Sequence, residues 1–357
     1  QVGNSEYEPK TMLKLFVYGY SYGNDRSSRK LERAVYHNLS FIWLLGGLKP
    51  DHKTIANFRK NNKVALGNVL KQSARMCMRL GLIEGNVLFI DGTKFRANAS
   101  IKNNWNDKRC KETLKKVDKR IAEILEEADR LDKQESESGS LVELQEELKG
   151  KQQLRQKVEA IAEELKEKNR TSINTIDKDC VATKSTHGSY AGYNAQIAVD
   201  QKQGLIGACD VVCSAVDRGK LSEQVKNAEI VLGKTCKTAV AAEGYSDMED
   251  IEEIDKTIDV IVPIKRQTEN REEFVYNKEA NTYTCPEGQV LTQYTVDPEK
   301  KRIRYKTNNP AVCQMCVRFG TCTKSIHGRN IGRSFFEDTS QRMIENYALP
   351  EKQAIYA

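Results

Sequence analysis

One carboxylate stands where metal chemistry could use it. Val87, Leu88, Phe89 and Ile90 form a short, wholly apolar run that suits a strand buried on both faces, and the run stops abruptly at Asp91-Gly92. A side chain at the mouth of such a strand is held rigidly with its oxygens at the surface. That is the condition for a Mg²⁺ ligand, because hard cations take oxygen donors and Mg²⁺ tolerates little geometric error. The same dipeptide also opens turns, so Asp91 alone does not decide between the two roles.

A second constellation is made of thiols. Cys285 sits in Tyr-Thr-Cys-Pro-Glu-Gly, Cys313 and Cys316 share C-x-x-C spacing, and Cys322 follows, with His327 in reserve. Four thiols, one pair so spaced, suit tetrahedral Zn²⁺ in a ribbon-like module, with Val290 to Val296 and Lys301 to Thr307 as its strands. Cys285-Pro286 lacks a C-x-x-C partner, so reduced, metal-free thiols remain the alternative, and a disulfide would conflict with a cytoplasmic location. Cys77, Cys110, Cys180, Cys209, Cys213 and Cys236 lie among apolar or helical neighbours and read as packing residues. His187 falls in a turn and reads as a surface residue. Asp200 and Asp210 close strands and could neighbour Asp91 or simply begin turns, and Asp177 and Asp179 could orient the return from a helical hairpin.

Charge is unevenly distributed. Residues 1–110 hold 19 Lys and Arg against 8 Asp and Glu, a balance of +11, whereas the whole chain of 357 residues carries +7. Lys300 to Arg333 adds nine basic residues and no acidic one. Two basic zones around an acidic middle suggest a polyanion partner, since phosphate contacts supply most non-specific nucleic-acid affinity, although a solvated basic surface would look the same. No apolar run approaches the roughly 20 residues of a membrane span, and nothing at the start resembles a signal peptide; a cytoplasmic location is expected.

The elements that must position these groups follow from periodicity. Met12, Leu13, Phe16, Val17 and Tyr20 predict a helix that Gly23-Asn24-Asp25 ends. Leu31, Ala34, Val35, Leu39, Ile42 and Leu45 predict one helix, capped by Ser27 or Ser28 and stopped at Gly46-Gly47. Pro50 to Arg59 opens a third that runs on to about Leu80. Such a small basic helical domain often binds DNA, though a packing module without a ligand has the same pattern. Leu114, Val117, Ile121, Ile124, Ala128 and Leu131 form a heptad seam, interrupted at Ser136 to Ser140 and resumed from Leu141 to Leu165 with a slip near Gly150. An antiparallel coiled-coil hairpin of structural or dimerising role is expected there. Strand periodicity then appears at Tyr193 to Asp200 and Leu205 to Val212 around Lys202-Gln203-Gly204, followed by a helix at Leu221 to Leu232, a strand at Thr238 to Ala242, another helix, and a strand at Val260 to Ile264. The order is that of a mixed α/β sheet, matching an RNase H-like core interrupted by the hairpin.

Pro50 to Arg59 (PDHKTIANFR), Asp91 to Ser100 (DGTKFRANAS), Tyr193 to Asp200 (YNAQIAVD), Gly244-Tyr245 and the cysteine pattern together resemble bacterial insertion-sequence transposases of the DDE type. The resemblance spans nearly the whole chain. It implies cutting and joining of double-stranded DNA at element ends and target, with Mg²⁺ or Mn²⁺ held by two Asp and one Glu activating the nucleophile and stabilising the leaving oxygen. Asp91 matches the first acid. The second belongs to an Ala-Asp-x-Gly-Tyr motif, but this chain reads Ala241-Ala242-Glu243-Gly244-Tyr245, so Ala242 occupies the acid's position and Glu243 is the adjacent substitute. Alternation along a strand would turn Glu243 to the other face unless the strand end is distorted. The third acid is expected just beyond Tyr356, where the chain stops at Ala357. A truncated or degenerate, catalytically defective transposase is therefore expected, the alternative being a non-catalytic DNA-binding or assembly protein.

The expected organisation is a helical DNA-binding domain at 1–84, the first part of an RNase H-like core at 85–105, the hairpin insertion at 106–172, the rest of the core at 173–268, a Cys-rich zinc-ribbon-like module at 269–334, and a truncated C-terminal segment at 335–357. Lys53, Arg59, Lys94, Arg96, Lys300, Lys301, Arg302 and Arg304 are the expected DNA contacts, and a homodimer without membrane association is the expected assembly.

Overall fold

A computed structural model describes residues 7–22, 27–133, 138–186, 188–264 and 273–357, without the side chains of 131–141. His187, the break at Gly23-Asn24-Asp25, and the seam residues Leu131 and Leu141 therefore lie outside the described residues, as does part of the Ser136 to Ser140 interruption. The chain divides into two compact units, Gln1–Arg79 and Leu80–Ala357.

The first unit is all helical: α1 (Pro9–Ser21), α2 (Ser28–His37), α3 (Leu39–Leu44), α4 (His52–Asn61) and α5 (Lys63–Arg79). The single helix expected from Leu31 to Leu45 is two, because Asn38 leaves helical geometry and caps α3, its Oδ1 accepting the Ser40 N–H at 2.9 Å. Ser27 does occupy the N-cap of α2, but its side chain makes no capping bond. The third expected helix also divides, at Asn62 between α4 and α5, with Asp51 capping α4 through the Thr54 N–H at 2.6 Å. Met12, Leu15, Phe16, Leu31, Val35, Phe41, Leu45 and Ile55 form the core, with Phe58 stacked on Phe16. Helix α5 buries only Ala74 and leaves Val64, Leu70 and Met76 exposed.

The second unit contains a mixed sheet. Its central strand β1 (Val87–Arg96) runs antiparallel to β5 (Gly188–Asp200) on one side and parallel to β7 (Thr238–Ala241) on the other. Strand β8 (Asp259–Ile261) continues the parallel part, while β4 (Val181–Ser185) and β6 (Ile206–Val212) share the outer edge of β5. Gly204 sits at φ 64° in the β5–β6 turn, a conformation that suits glycine. Helix α8 (Leu221–Leu232) buries Leu221, Val225, Ala228 and Val231, and Gly233 at φ 68° ends it. The next helix, α9 (Met248–Glu252), is short.

Between β1 and β4 the chain makes a small two-stranded pairing, β2 (Asn104–Trp105) with β3 (Ile173–Asn174), and from it extend α6 (Asp107–Lys133) and α7 (Ser138–Glu167). They run antiparallel: Cys110 packs in one cluster with Ile161 and Leu165, and Arg120 grips the Glu147 carboxylate with two bonds of 3.0 and 2.9 Å. Gly150 does not interrupt α7.

The cysteine-bearing region is larger than a two-stranded ribbon. Strands β9 (Val275–Asn277), β10 (Thr282–Thr284), β11 (Val290–Asp297), β12 (Arg302–Thr307) and β13 (Asn330–Ser334) form an antiparallel meander around Tyr283, Leu291, Tyr305 and Ile331, with α10 (Pro310–Gln314) between the last two strands. Helix α11 (Glu337–Ala348) then returns to the mixed sheet, where Asn346 Nδ2 donates to the Val260 carbonyl at 2.8 Å and Arg342 pairs with Asp255 at 2.6 Å. Helix α12 (Pro350–Tyr356) follows.

Candidate functional site at the end of the central strands

Strand β1 presents two differently built faces. Leu88 and Ile90 are buried on the α8 side, whereas Asp91 is exposed and its Oδ1 accepts the Gly92 N–H at 2.7 Å. In the parallel register Ile90 lies opposite Ala241, both buried. One residue further on come Asp91 and Ala242, both exposed: Ala242 lies just past the end of β7, whereas Asp91 does not end its strand as the apolar run suggests, because β1 continues paired with β5 as far as Arg96. Strand β7 ends at Ala241, and Glu243–Tyr245 forms a tight helical turn. Glu243 is thus not a strand residue, and strand alternation does not dictate its direction. Helix α12 brings Tyr356 to the same rim: its hydroxyl is held above the ordinary value by burial first, then by Tyr347, Glu243 and Asp91.

The opposite face carries a polar network that the sequence reading missed. Asp217, in the loop before α8, accepts three hydrogen bonds on Oδ1: from Lys94 Nζ at 2.8 Å, Asn194 Nδ2 at 2.9 Å and Gln196 Nε2 at 2.8 Å. Asn194 and Gln196 are fully buried and pair across the sheet with Lys94 and Gly92. Gln196 also donates to Asn194 Oδ1 at 2.9 Å and accepts from the buried hydroxyl of Tyr245, which ties the 243–245 turn to the sheet. A methyl group on Gly92 would fall 2.5 Å from both Asp217 Oδ1 and Gln196 Nε2, so the close approach requires glycine. Burial pushes the Asp217 carboxyl up, but the hydrogen bonds from Lys94, Asn194 and Gln196 outweigh it and leave the carboxyl below its ordinary value. The Tyr245 hydroxyl is raised by burial, then by Asp217 and Asp91. One signal could have revealed this network: Asn194 and Gln196 share the side of β5 that buries Ala198, and two amides at core positions require partners.

The remaining candidates separate. Asp200 is buried and structural, accepting the Gly85 N–H at 2.7 Å and the Glu84 N–H at 3.2 Å. Asp210 is exposed and holds the Val211 N–H at 2.7 Å. Asp177 accepts the Tyr193 hydroxyl and the Asp179 N–H at the return from α7. Of the basic residues expected to contact a polyanion, Lys94 is engaged by Asp217, and Lys301 by Glu249. Arg59 bonds Tyr20 at 2.7 Å, Arg96 lies over the Tyr190 ring, Arg302 and Arg304 are half-buried on β12, and Lys53 is exposed on α4. Carboxylates also meet much of the basic run at 300–333: Lys300 pairs with Asp297, Arg318 with Glu273 and Glu287, and Arg333 with Asp338.

Cys285, Cys313, Cys316 and Cys322 line one cavity of about 40 Å³ beside the five-stranded sheet, whereas His327 is exposed and does not line it. The scattered cysteines divide, with Cys110, Cys180 and Cys236 buried as packing residues and Cys209 and Cys213 exposed. Among the described residues, no group of three or more His, Cys, Asp and Glu side chains is gathered closely enough to hold a metal ion as it stands. No described helix is long and apolar enough to cross a membrane.

No curated protein and no solved structure matches the chain. Residues 1–61 match the model of a family described as a transposase domain (DUF772), and that match supports a transposase family for this protein.

Proposed function

We propose that this protein is a DNA transposase of the DDE type from an insertion sequence, with an RNase H-like core whose strand-cutting centre is impaired. The observation that carries the reading is the juxtaposition of Asp91, where the parallel pairing of β1 with β7 stops, and Ala242, just past the end of β7, with Glu243 and Tyr356 at the same rim. A carboxylate at each of those two positions is what two Mg²⁺ ions need for in-line displacement on phosphorus. The residues present do not fit that centre: Asp91 supplies oxygen donors, and Ala242 supplies a methyl group. Glu243 is close, but it sits in the turn that follows the strand and not at the position where the second acid is expected. The strand order β6-β5-β1-β7-β8, antiparallel up to β1 and parallel beyond it, supports an RNase H-like core, and the basic helical unit supports DNA binding.

A non-catalytic DNA-binding or assembly role draws on the same Ala242. The experiment that separates the readings uses the full chain and duplex DNA from the sequences flanking its coding frame. Salt-sensitive binding without Mg²⁺- or Mn²⁺-dependent nicking is expected, and Ala242→Asp is expected to restore nicking that Asp91→Ala abolishes. Robust nicking by the unmodified chain would overturn the impairment. Absence of salt-sensitive binding would overturn the DNA reading, and failure of the restored variant to cut would leave the non-catalytic role.

A further inference from the structure

The segment from Asn308 to Arg329, between β12 and β13, is packed inside out. Of its residues only Gly328 is buried, while Met315, Val317 and Ile326 expose 79%, 88% and 66% of their surface. Apolar burial therefore does not hold this segment in place. What it turns inward, beside Val312 and Phe319, is three thiols: Cys313, Cys316 and Cys322 line the cavity whose opposite wall contributes Cys285.

The backbone around these sulfurs is shaped as thiolate ligands require. Gly288 N–H donates to the Cys285 carbonyl at 2.9 Å and Gln289 N–H donates to Cys285 Sγ at 3.3 Å, closing a tight turn around the sulfur. The C-x-x-C pair repeats the pattern, with Cys316 N–H on the Cys313 carbonyl at 3.3 Å and Arg318 N–H on Cys316 Sγ at 3.4 Å. Such N–H donors favour a sulfur that carries negative charge. Arg318 and Arg329 line the same cavity; Arg318 is paired with Glu273 and Glu287, and Arg329 Nη1 donates to the Cys322 carbonyl at 2.9 Å, which sets its guanidinium beside a centre that would be anionic. All four cysteines are free of disulfides.

We propose that Cys285, Cys313, Cys316 and Cys322 bind one Zn²⁺ as a tetrathiolate, and that this ion fastens the 308–329 segment to the five-stranded sheet. Four sulfur donors with no imidazole or carboxylate among them select a tetrahedral soft-ligand metal, and His327 lies outside the set. The thiols surround the cavity without converging on a point, so binding draws them inward and releases their protons. The site is independent of the DNA chemistry proposed above, and its test does not use DNA.

The test is metal analysis of the purified full chain. About one equivalent of zinc per chain is expected; stripping it with a chelator should expose four further thiols to a thiol reagent and lower the melting temperature. Cys285→Ser and Cys316→Ser should lose the metal, whereas Cys209→Ser and His327→Ala should keep it. If the serine variants do not fold, Co²⁺ exchanged into the unmodified chain should show the sulfur-to-metal charge-transfer absorption of a tetrathiolate. Folded protein that takes up neither zinc nor cobalt, iron in place of zinc, or full zinc retention in both Cys285→Ser and Cys316→Ser would each overturn the proposal.

Discussion

The two faces of β1 differ in how completely they are built. On the α8 side, the polar groups around Asp217 are partnered: Asp217 takes three donors, Gln196 bridges Asn194 and Tyr245, and Lys94 closes the set, while on α8 itself the buried Gln224 Nε2 has no hydrogen bond among the described residues. On the other side, Asp91 follows the last parallel pair of β1 and β7, next to Ala242 in register, and bonds only the adjoining Gly92 N–H among the hydrogen bonds described. The contrast follows from solvation. A buried donor or acceptor left unmet costs the full desolvation of that group, so completing the network around Asp217 stabilises the sheet. An exposed carboxylate is hydrated in any case, and losing its partner costs chemistry with little effect on stability.

The comparison breaks most readily at Asp217. With both members of its ion pair about a quarter exposed (side chains 24% and 23%), Asp217→Ala should cost about 2–3 kcal/mol in urea unfolding at neutral pH. The pH dependence has a definite sign. Because the folded carboxyl lies below the ordinary 3.8, its stabilising contribution is complete above that value and is lost as pH falls through the lower folded one. The stability gap between the native chain and Asp217→Asn should therefore be flat from neutral pH down to about pH 5 and narrow below about pH 4. A gap that widens in acid would contradict the hydrogen-bonding described.

Gly92→Ala should be next in size. It forces a methyl group to within 2.5 Å of two polar atoms of the network, at a cost of about 1–3 kcal/mol by the same unfolding measurement. A neutral result would mean that Asp217 and Gln196 can withdraw freely.

The smallest effect belongs to the exposed face. Asp91→Ala should change stability by less than about 0.5 kcal/mol. If thermal or urea unfolding placed Asp91→Ala level with Asp217→Ala, the distinction between a complete interior face and an incomplete exterior one would fail.

Much of the architecture was legible from local pattern. The apolar run before Asp91, the β5–β6 hairpin around Gly204 and helix α8 from Leu221 to Leu232 appear where periodicity placed them, because side-chain period and turn residues act within a few positions. Boundaries were less legible where one polar residue intervened. Asn38 and Asn62 each divide what reads as a continuous helix, since an apolar stripe continues across a break that capping geometry decides. The five-stranded sheet was half seen: β11 and β12 carry clear strand character, while β9 and β10 hold three residues each, too few for periodicity to register.

The sequence by itself determined that an apolar run stops at Asp91, though the strand goes on to Arg96, that residue 242 is an alanine where the DDE resemblance calls for an acid, and that thiols cluster late in the chain. Only the tertiary structure decided that Asp217 meets Lys94 across 123 residues and that Glu249 lies against Lys301. The reason is range. Backbone preference and side-chain period are properties of neighbours along the chain, whereas pairing between distant polar groups depends on which strands and loops the folded sheet brings together, and no local pattern encodes that separation.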